Sequence, residues 1–350
     1  MIKARKKIRY LGIVGAASVI MVVLLQMIVV PSTYSQTVIG TPITVGDQPE
    51  IVGVNIVTNR IYVANLNSDN VSVINGDTNA VTTIAVGDGP FDVGVNTVTN
   101  KIYVGNILSD SVSVIDGVTN DVTTFAVGDL NRGIGVNTVT NRIYVVSSNT
   151  NNVFVINGND NTVIGTPIPV GTFPVDAEVN TITNRIYVSN QFSDNVSVID
   201  GATNAVIATI PVGDNPIDIE VNPITNRIYV GNGGVSDNIS VIDGATNTVI
   251  ATIQVGDNPR QFGVDIVTNR IYVAITGTDS VSVIHGATNT IIGTPISVGD
   301  LPIGVGVNTI TNRIYVSNGF SDNVSVIFGS TSSSASPVTP ISTPSSSNSK

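Results

Sequence analysis

The chain has 350 residues, only 11% of them charged, with no cysteine, no tryptophan and a single histidine. That inventory excludes disulfides, thiolate chemistry and metal sites built on His and Cys. The formal net charge is −10, and five of the fifteen basic residues fall in residues 1–9; the remainder balances ten basic against twenty-five acidic residues, a net of −15 that repels phosphate backbones and makes nucleic acid an unexpected partner.

Residues 1–36 read as an export segment. Lys3, Arg5, Lys6, Lys7 and Arg9 precede an uncharged, largely apolar run over residues 11–30; Pro31 follows, with small side chains at Thr33 and Ser35. A basic, apolar, small-residue order is the layout of a secretory signal. A run of twenty residues also reaches across a bilayer, so a signal peptide cleaved near Ser35 and an uncleaved signal anchor are both open readings. Either places the body outside the cytoplasm, in contact with a membrane only through this segment.

Residues 37–329 are repetitive. The triplet Ile-Tyr-Val occurs seven times, with its tyrosine at Tyr62, Tyr103, Tyr144, Tyr187, Tyr229, Tyr272 and Tyr315, at intervals of 41, 41, 43, 42, 43 and 43. Within the unit 174–214, four apolar runs (175–179, 186–189, 196–199 and 206–212) are separated by clusters of Asn, Asp, Thr and Gly. Short runs rich in Val, Ile and Tyr between such turn signals predict strands joined by hairpins. Four strands per unit of this length is the period of a propeller blade.

The last copy stops after its third strand, at Gly329, while a matching fourth strand stands alone at residues 37–47. Its text, Thr-Val-Ile-Gly-Thr-Pro-Ile, recurs at residues 162–168 and, with Ile291 in place of valine, at 290–296. The two ends therefore complement each other, which predicts an all-β, seven-bladed propeller of four-stranded antiparallel blades, closed by an N-terminal strand that completes the last blade.

Three segments carry a family resemblance: Tyr229-Val-Gly-Asn232, Val196-Ser-Val-Ile-Asp-Gly-Ala-Thr-Asn204, and Thr181-Ile-Thr-Asn184 before Arg185. The repeat resembles the YVTN family of β-propeller repeats over about residues 37–329. The resemblance implies a propeller of the kind found in archaeal and bacterial surface layers and exported proteins. It also implies that some relatives are lactonases or help to bind redox cofactors. The chain departs from the pattern at Asn131-Arg132, Val146-Ser147 and His285. Beyond the repeats, residues 330–350 are a Ser/Thr/Pro-rich tail with no apolar run, expected to be disordered.

Residues repeated in every blade, including Arg60, Lys101, Arg142, Arg185, Arg227, Arg270 and Arg313, are expected to serve architecture. Function is better sought where copies differ. Along the innermost strand one column reads Ile51, Asp92, Gly133, Asp176, Asp218, Gln261 and Gly304; two residues on, the column is glycine except for Glu178 and Glu220. Adjacent blades thus bring Asp176, Glu178, Asp218 and Glu220 together at the axis. Carboxylates so placed repel unless something offsets them. A hard cation such as Ca2+ is one candidate, and a hydrated channel mouth partly paired with Arg132 or Arg260 is the other. His285 reads as a turn residue without a catalytic partner. Asn70, Asn195, Asn238 and Asn323 head Asn-X-Ser sequons that double as the repeat's own turn text.

Three functions are consistent with these readings. The first is an exported cell-surface or extracellular binding and scaffold module whose partner is a protein or a surface polymer. The second is a lactonase-like hydrolase, with or without calcium, using the channel carboxylates. The third is a structural lattice protein. Export, acidity and the shortage of catalytic groups favour the first; the absence of tryptophan argues against a sugar-stacking lectin.

Overall fold

The structure, a computed structural model, describes residues 36–329. They form seven antiparallel sheets arranged as a seven-bladed β-propeller, with no α-helix among the described residues and one short 3-10 turn at Thr276–Thr278. Blade 4 shows the plan: Pro174–Asn180, Arg185–Asn190, Asn195–Asp200 and Ala205–Pro211 pair in sequence order. The first strands, beginning with Pro49–Asn55 in blade 1 and ending with Pro302–Asn308 in blade 7, adjoin one another around the axis. Blade 7 takes its outer strand from the opposite end of the body. Ile43–Thr44 pairs with Asn323–Phe328, with Ile43 opposite Val324 and Val38 bridged to Ile327. The closure expected from the complementary ends is therefore formed. The expectations for the export segment and the tail fall on residues 1–35 and 330–350, outside the described residues.

The Ile-Tyr-Val triplet explains how blades adhere. Successive side chains of a strand point to opposite faces, so the tyrosine meets one neighbouring blade and the flanking aliphatics the other. Tyr187 packs with Ile219, Val221, Ile228 and Val230 of blade 5, while Ile186 and Val188 pack with Tyr144, Val146 and Val153 of blade 3. All seven tyrosines are fully buried. The core is thus seven apolar seams between blades rather than one central mass.

Polar bonds reinforce each seam. Asn55 donates through Nδ2 to Asn100 Oδ1 of the next blade at 2.8 Å, and the last link of this series runs from Asn308 to Asn59, around the closure. Arg60 Nη1 donates to the Gly117 carbonyl at 3.0 Å and Lys101 Nζ to the Gly158 carbonyl at 3.0 Å. The recurring aspartate of Asp-Gly-Ala-Thr-Asn is also local architecture. Asp200 Oδ1 accepts from the amides of Ala202 and Thr203, and Asn204 closes the turn at φ +55°, a left-handed conformation that Asn tolerates.

One element is shorter than its sequence promises. In blades 3, 6 and 7 the outer strand carries Ile-Gly-Thr-Pro, and pairing there shrinks to two-residue pieces and isolated bridges. Gly40, Gly165 and Gly293 sit at φ +69°, and the proline two residues on has no N–H to donate. The ladder breaks at this pair of residues.

Candidate functional site: the axial channel

Every first strand carries a β-bulge near its start, between Pro174 and Asp176 in blade 4 and between Pro49 and Val52 in blade 1. A bulge re-aims side chains and twists the strand. Here it sets the carboxylate column around the axis together with seven backbone amides, those of Val52, Val93, Ile134, Ala177, Ile219, Phe262 and Val305.

Each of those amides donates to a side chain of the column. Asp92 accepts from Val93 at 2.6 Å through Oδ1 and from Ile134 of the next blade at 2.6 Å through Oδ2. Asp176 accepts from Ala177 at 2.8 Å and from Ile219 of the next blade at 3.1 Å. Asp218 Oδ2 accepts from Phe262 at 3.1 Å. Gln261 Oε1 accepts from Val305 at 2.8 Å and, more loosely, from Val52 at 3.5 Å. A carboxylate offers two oxygens, so three aspartates and one glutamine serve seven amides across seven blades. The sequence does place Asp176, Glu178, Asp218 and Glu220 on one channel, and the structure agrees. It did not reveal that the aspartates act as inter-blade clasps, nor that Gln261 belongs to the same set; the signal was that Gln261 shares their column.

Two residues further along lies the glycine column. A methyl on Gly94 would stand 2.5 Å from Ile134 Cγ2 and 2.9 Å from the Ile134 carbonyl oxygen, so neighbouring first strands approach too closely for a side chain. Glu178 and Glu220 are the two departures. They line a cavity of about 290 Å³ with Asp92, Asp176, Gln261 and the adjoining valines. Glu178 Oε2 accepts from the Val179 amide at 2.9 Å.

Burial governs the ionisation of this group. Asp176, Glu178 and Glu220 keep some solvent contact along the channel wall but are enclosed by protein on all other sides, so loss of hydration outweighs that contact. It pushes Glu178 up to about 8, with the charge of Asp176 adding to the effect. It raises Asp176 to about 6, where the amides of Ile219 and Ala177 hold it back. Asp92, Asp218 and Glu220 are also raised, by burial first and by neighbouring carboxylates second.

Arg132 and Arg260 do not supply the charge balance expected of them. They stand in the same channel beyond the clasp, among Ile51, Phe91, Ile217 and Ile303, and among the described residues neither forms an ion pair. No group of three or more acidic or histidine side chains is arranged to hold a metal among the described residues. A calcium ion at Asp176, Glu178, Asp218 and Glu220 would have to compete with backbone amides for the oxygens.

No family model and no curated protein sequence matches the chain. Among solved structures, Kuenenia stuttgartiensis hydrazine synthase superposes with a TM-score of 0.74 at 21% identity, over 83% of this chain and 98% of that one. A chain of a mitotic checkpoint complex superposes with a TM-score of 0.72 at 14% identity, over 94% of this chain and 99% of the other. At these identities the likeness is one of fold.

The remaining predicted positions are surface or seam features. His285 ends the third strand of blade 6, and its Nδ1 accepts from the Ala287 amide at 3.3 Å, taking the role that aspartate plays in other copies. The sequon asparagines open third strands. Asn70 donates through Nδ2 to the Ser68 carbonyl and accepts from Asn65, and the sequon hydroxyl of Ser72 is buried, bonded by the same Asn65. Asn195 and Asn323 repeat this pattern, and Asn238 accepts likewise from Asn232.

A feature the sequence reading missed lies in the turns between first and second strands. Each presents a branched aliphatic to solvent: Val57, Val98, Val139, Ile182, Ile224, Val267 and Ile310 are 66–74% exposed. They form a circle of seven on one face of the disc. The opposite face, made by the connections between blades and the turns between second and third strands, carries Asp47, Asp88, Asp129, Asp214, Asp257 and Asp300 in those connections.

Proposed function

We propose that the chain is an exported protein-binding scaffold of YVTN type, acting at the cell surface or outside the cell. The circle of seven exposed aliphatics carries this reading. Turn positions normally favour Gly, Asn, Asp, Ser and Pro, and a soluble disc gains nothing from seven apolar side chains held in water. Each offers about 100 Å² for burial, on the order of 700 Å² together, close to the roughly 800 Å² per partner of a standard interface. The solved neighbour from a mitotic checkpoint complex is itself part of an assembly, which accords with a protein partner. The export segment of the sequence supports action outside the cytoplasm.

The test is site-specific photo-crosslinking in the native cell, with the reactive residue at Val98 or Val139 and, as control, at Thr83 on an outer strand. The expected result is one shared extracytoplasmic protein at both circle positions and none at Thr83, with cell fractionation placing the chain outside the cytoplasm. Equal labelling at all three positions, or recovery in the cytoplasm, refutes the proposal.

The channel supports a second reading. Carboxyls raised to about 6 and about 8 beside a cavity of about 290 Å³ are groups of the kind that serve general acid–base catalysis near neutral pH. A lactonase-like hydrolase would lose activity in an Asp176→Asn, Glu220→Gln double variant. Absence of lactone hydrolysis by the unaltered protein removes that reading.

A further inference from the structure

Nine basic residues lie within the described residues, and seven of them recur once per blade at the start of the second strand. Of these, Arg60, Lys101, Arg142, Arg185, Arg227 and Arg313 each donate to a glycine carbonyl of the neighbouring blade. Arg132 and Arg260 are different. They stand on the bulges of blades 3 and 6, at a column where other copies have Glu50, Phe91, Val175, Ile217 and Ile303. Both line one small cavity at the mouth of the channel, on the aspartate-bearing face.

Neither guanidinium has an acceptor. Among the described residues neither donates a hydrogen bond or makes an ion pair, and the Nε of each is sealed from solvent without a partner. The Arg132 guanidinium lies 5.3 Å from the centre of the Phe91 ring and 5.4 Å from that of Phe173, and Phe173 stacks on Phe192 at 4.6 Å. Burial lowers the pKa of Arg132, and the charge of Arg260 lowers it further, so the two cations feel each other. Glu50 offsets them in part, but it is itself buried, its Oε1 accepts from Gln48 Nε2 at 2.8 Å, and desolvation raises its pKa.

Two arginines with unused donors, converging on one apolar mouth, make a site for a group with paired acceptor oxygens. We propose that the channel mouth binds the carboxylate of a short aliphatic acid, held by Arg132 and Arg260, with its apolar chain against Phe91, Ile217 and Ile303. Pairing through the accessible Nη donors cancels the repulsion between the cations. The apolar wall favours a carbon chain over a fully hydrated inorganic anion.

The experiment is calorimetric and NMR titration of the full chain with sodium butanoate, with butan-1-ol and sodium sulfate as controls. The unaltered protein is expected to bind butanoate saturably, butan-1-ol not at all and sulfate at least tenfold more weakly. An Arg132→Gln, Arg260→Gln double variant loses at least tenfold in butanoate affinity while its melting temperature holds or rises, because neither head group has a protein acceptor to lose. Glu50→Gln tightens butanoate binding several-fold by removing the competing charge. Three results overturn the proposal: no saturable butanoate binding, equal affinity in the double variant, or sulfate binding as tightly as butanoate. Should the double variant fail to fold, Glu50→Gln alone decides, since unchanged or weaker butanoate binding there also overturns it.

Discussion

Replacing Asp176 with alanine separates the two things that this side chain does. Its oxygens bond the amides of Ala177 and Ile219, and its pKa is raised from 3.8 to about 6 by burial. Loss of the bonds costs about 1–3 kcal/mol per stranded amide, toward the low end here because the adjoining cavity admits water. The ionisation term has the opposite sign and depends on pH. A carboxyl whose folded pKa lies above its unfolded value stabilises the fold below the unfolded value, and that stability is lost as pH rises toward the folded value. A shift of about two units corresponds to about 3 kcal/mol in full, of which about 2–3 kcal/mol falls between pH 4 and pH 8. Asp176→Ala is therefore expected to destabilise clearly at pH 4 and to be close to neutral at pH 8. Urea denaturation of the full chain and the variant at both pH values measures this directly. A penalty that is the same at both would show that Asp176 is not strained by burial, and the electrostatic account of the channel would fail.

Four further outcomes follow from the same geometry. Ile43→Ala, which hollows the seam where the N-terminal strand seals blade 7, should cost about 2–4 kcal/mol in urea denaturation; a loss below 1 kcal/mol would count against closure there. Gly94→Ala puts a methyl against Ile134 of the next blade and should destabilise by about 1–3 kcal/mol, whereas a neutral effect would mean that the first strands are less closely set. Arg185→Met removes the bond from Nη1 to the Gly244 carbonyl at 2.6 Å and should cost about 1.5–3 kcal/mol. With both oxygens of Asp92 and Asp176 bonded to amides, melting in calcium and in chelator should coincide; a calcium-dependent rise of several degrees would instead establish a cation among these carboxylates.

Local chemistry was easy to read because each residue's role depends on its neighbours in sequence. Asp200 and Asn204 announce a turn by their own side chains, and Ile186, Tyr187 and Val188 announce a strand buried on both faces. The outer strands at Gly165 and Gly293 are shorter than the sequence predicts, since the text around them is apolar and β-prone while one glycine and one proline break the ladder. Among the candidate site residues, the shared channel of Asp176, Glu178, Asp218 and Glu220 was visible from the repeat register. The bonds that cross between blades were not, because the amides of Ile219 and Phe262 that Asp176 and Asp218 accept from belong to a strand more than forty residues away, presented by a bulge.

The sequence by itself determined the count of seven, the four strands of each blade and the sealing of the ring by residues 37–47. A repeat of fixed period whose two ends supply each other's missing strand has one compact way to satisfy its edges. Only the tertiary structure decided that the aspartates clasp neighbouring blades, that Arg132 and Arg260 are left without acceptors, and that seven aliphatic side chains share one face. Each of these depends on which atoms of different blades meet at the axis or align around it, and a one-dimensional repeat leaves that arrangement to the closure of the circle.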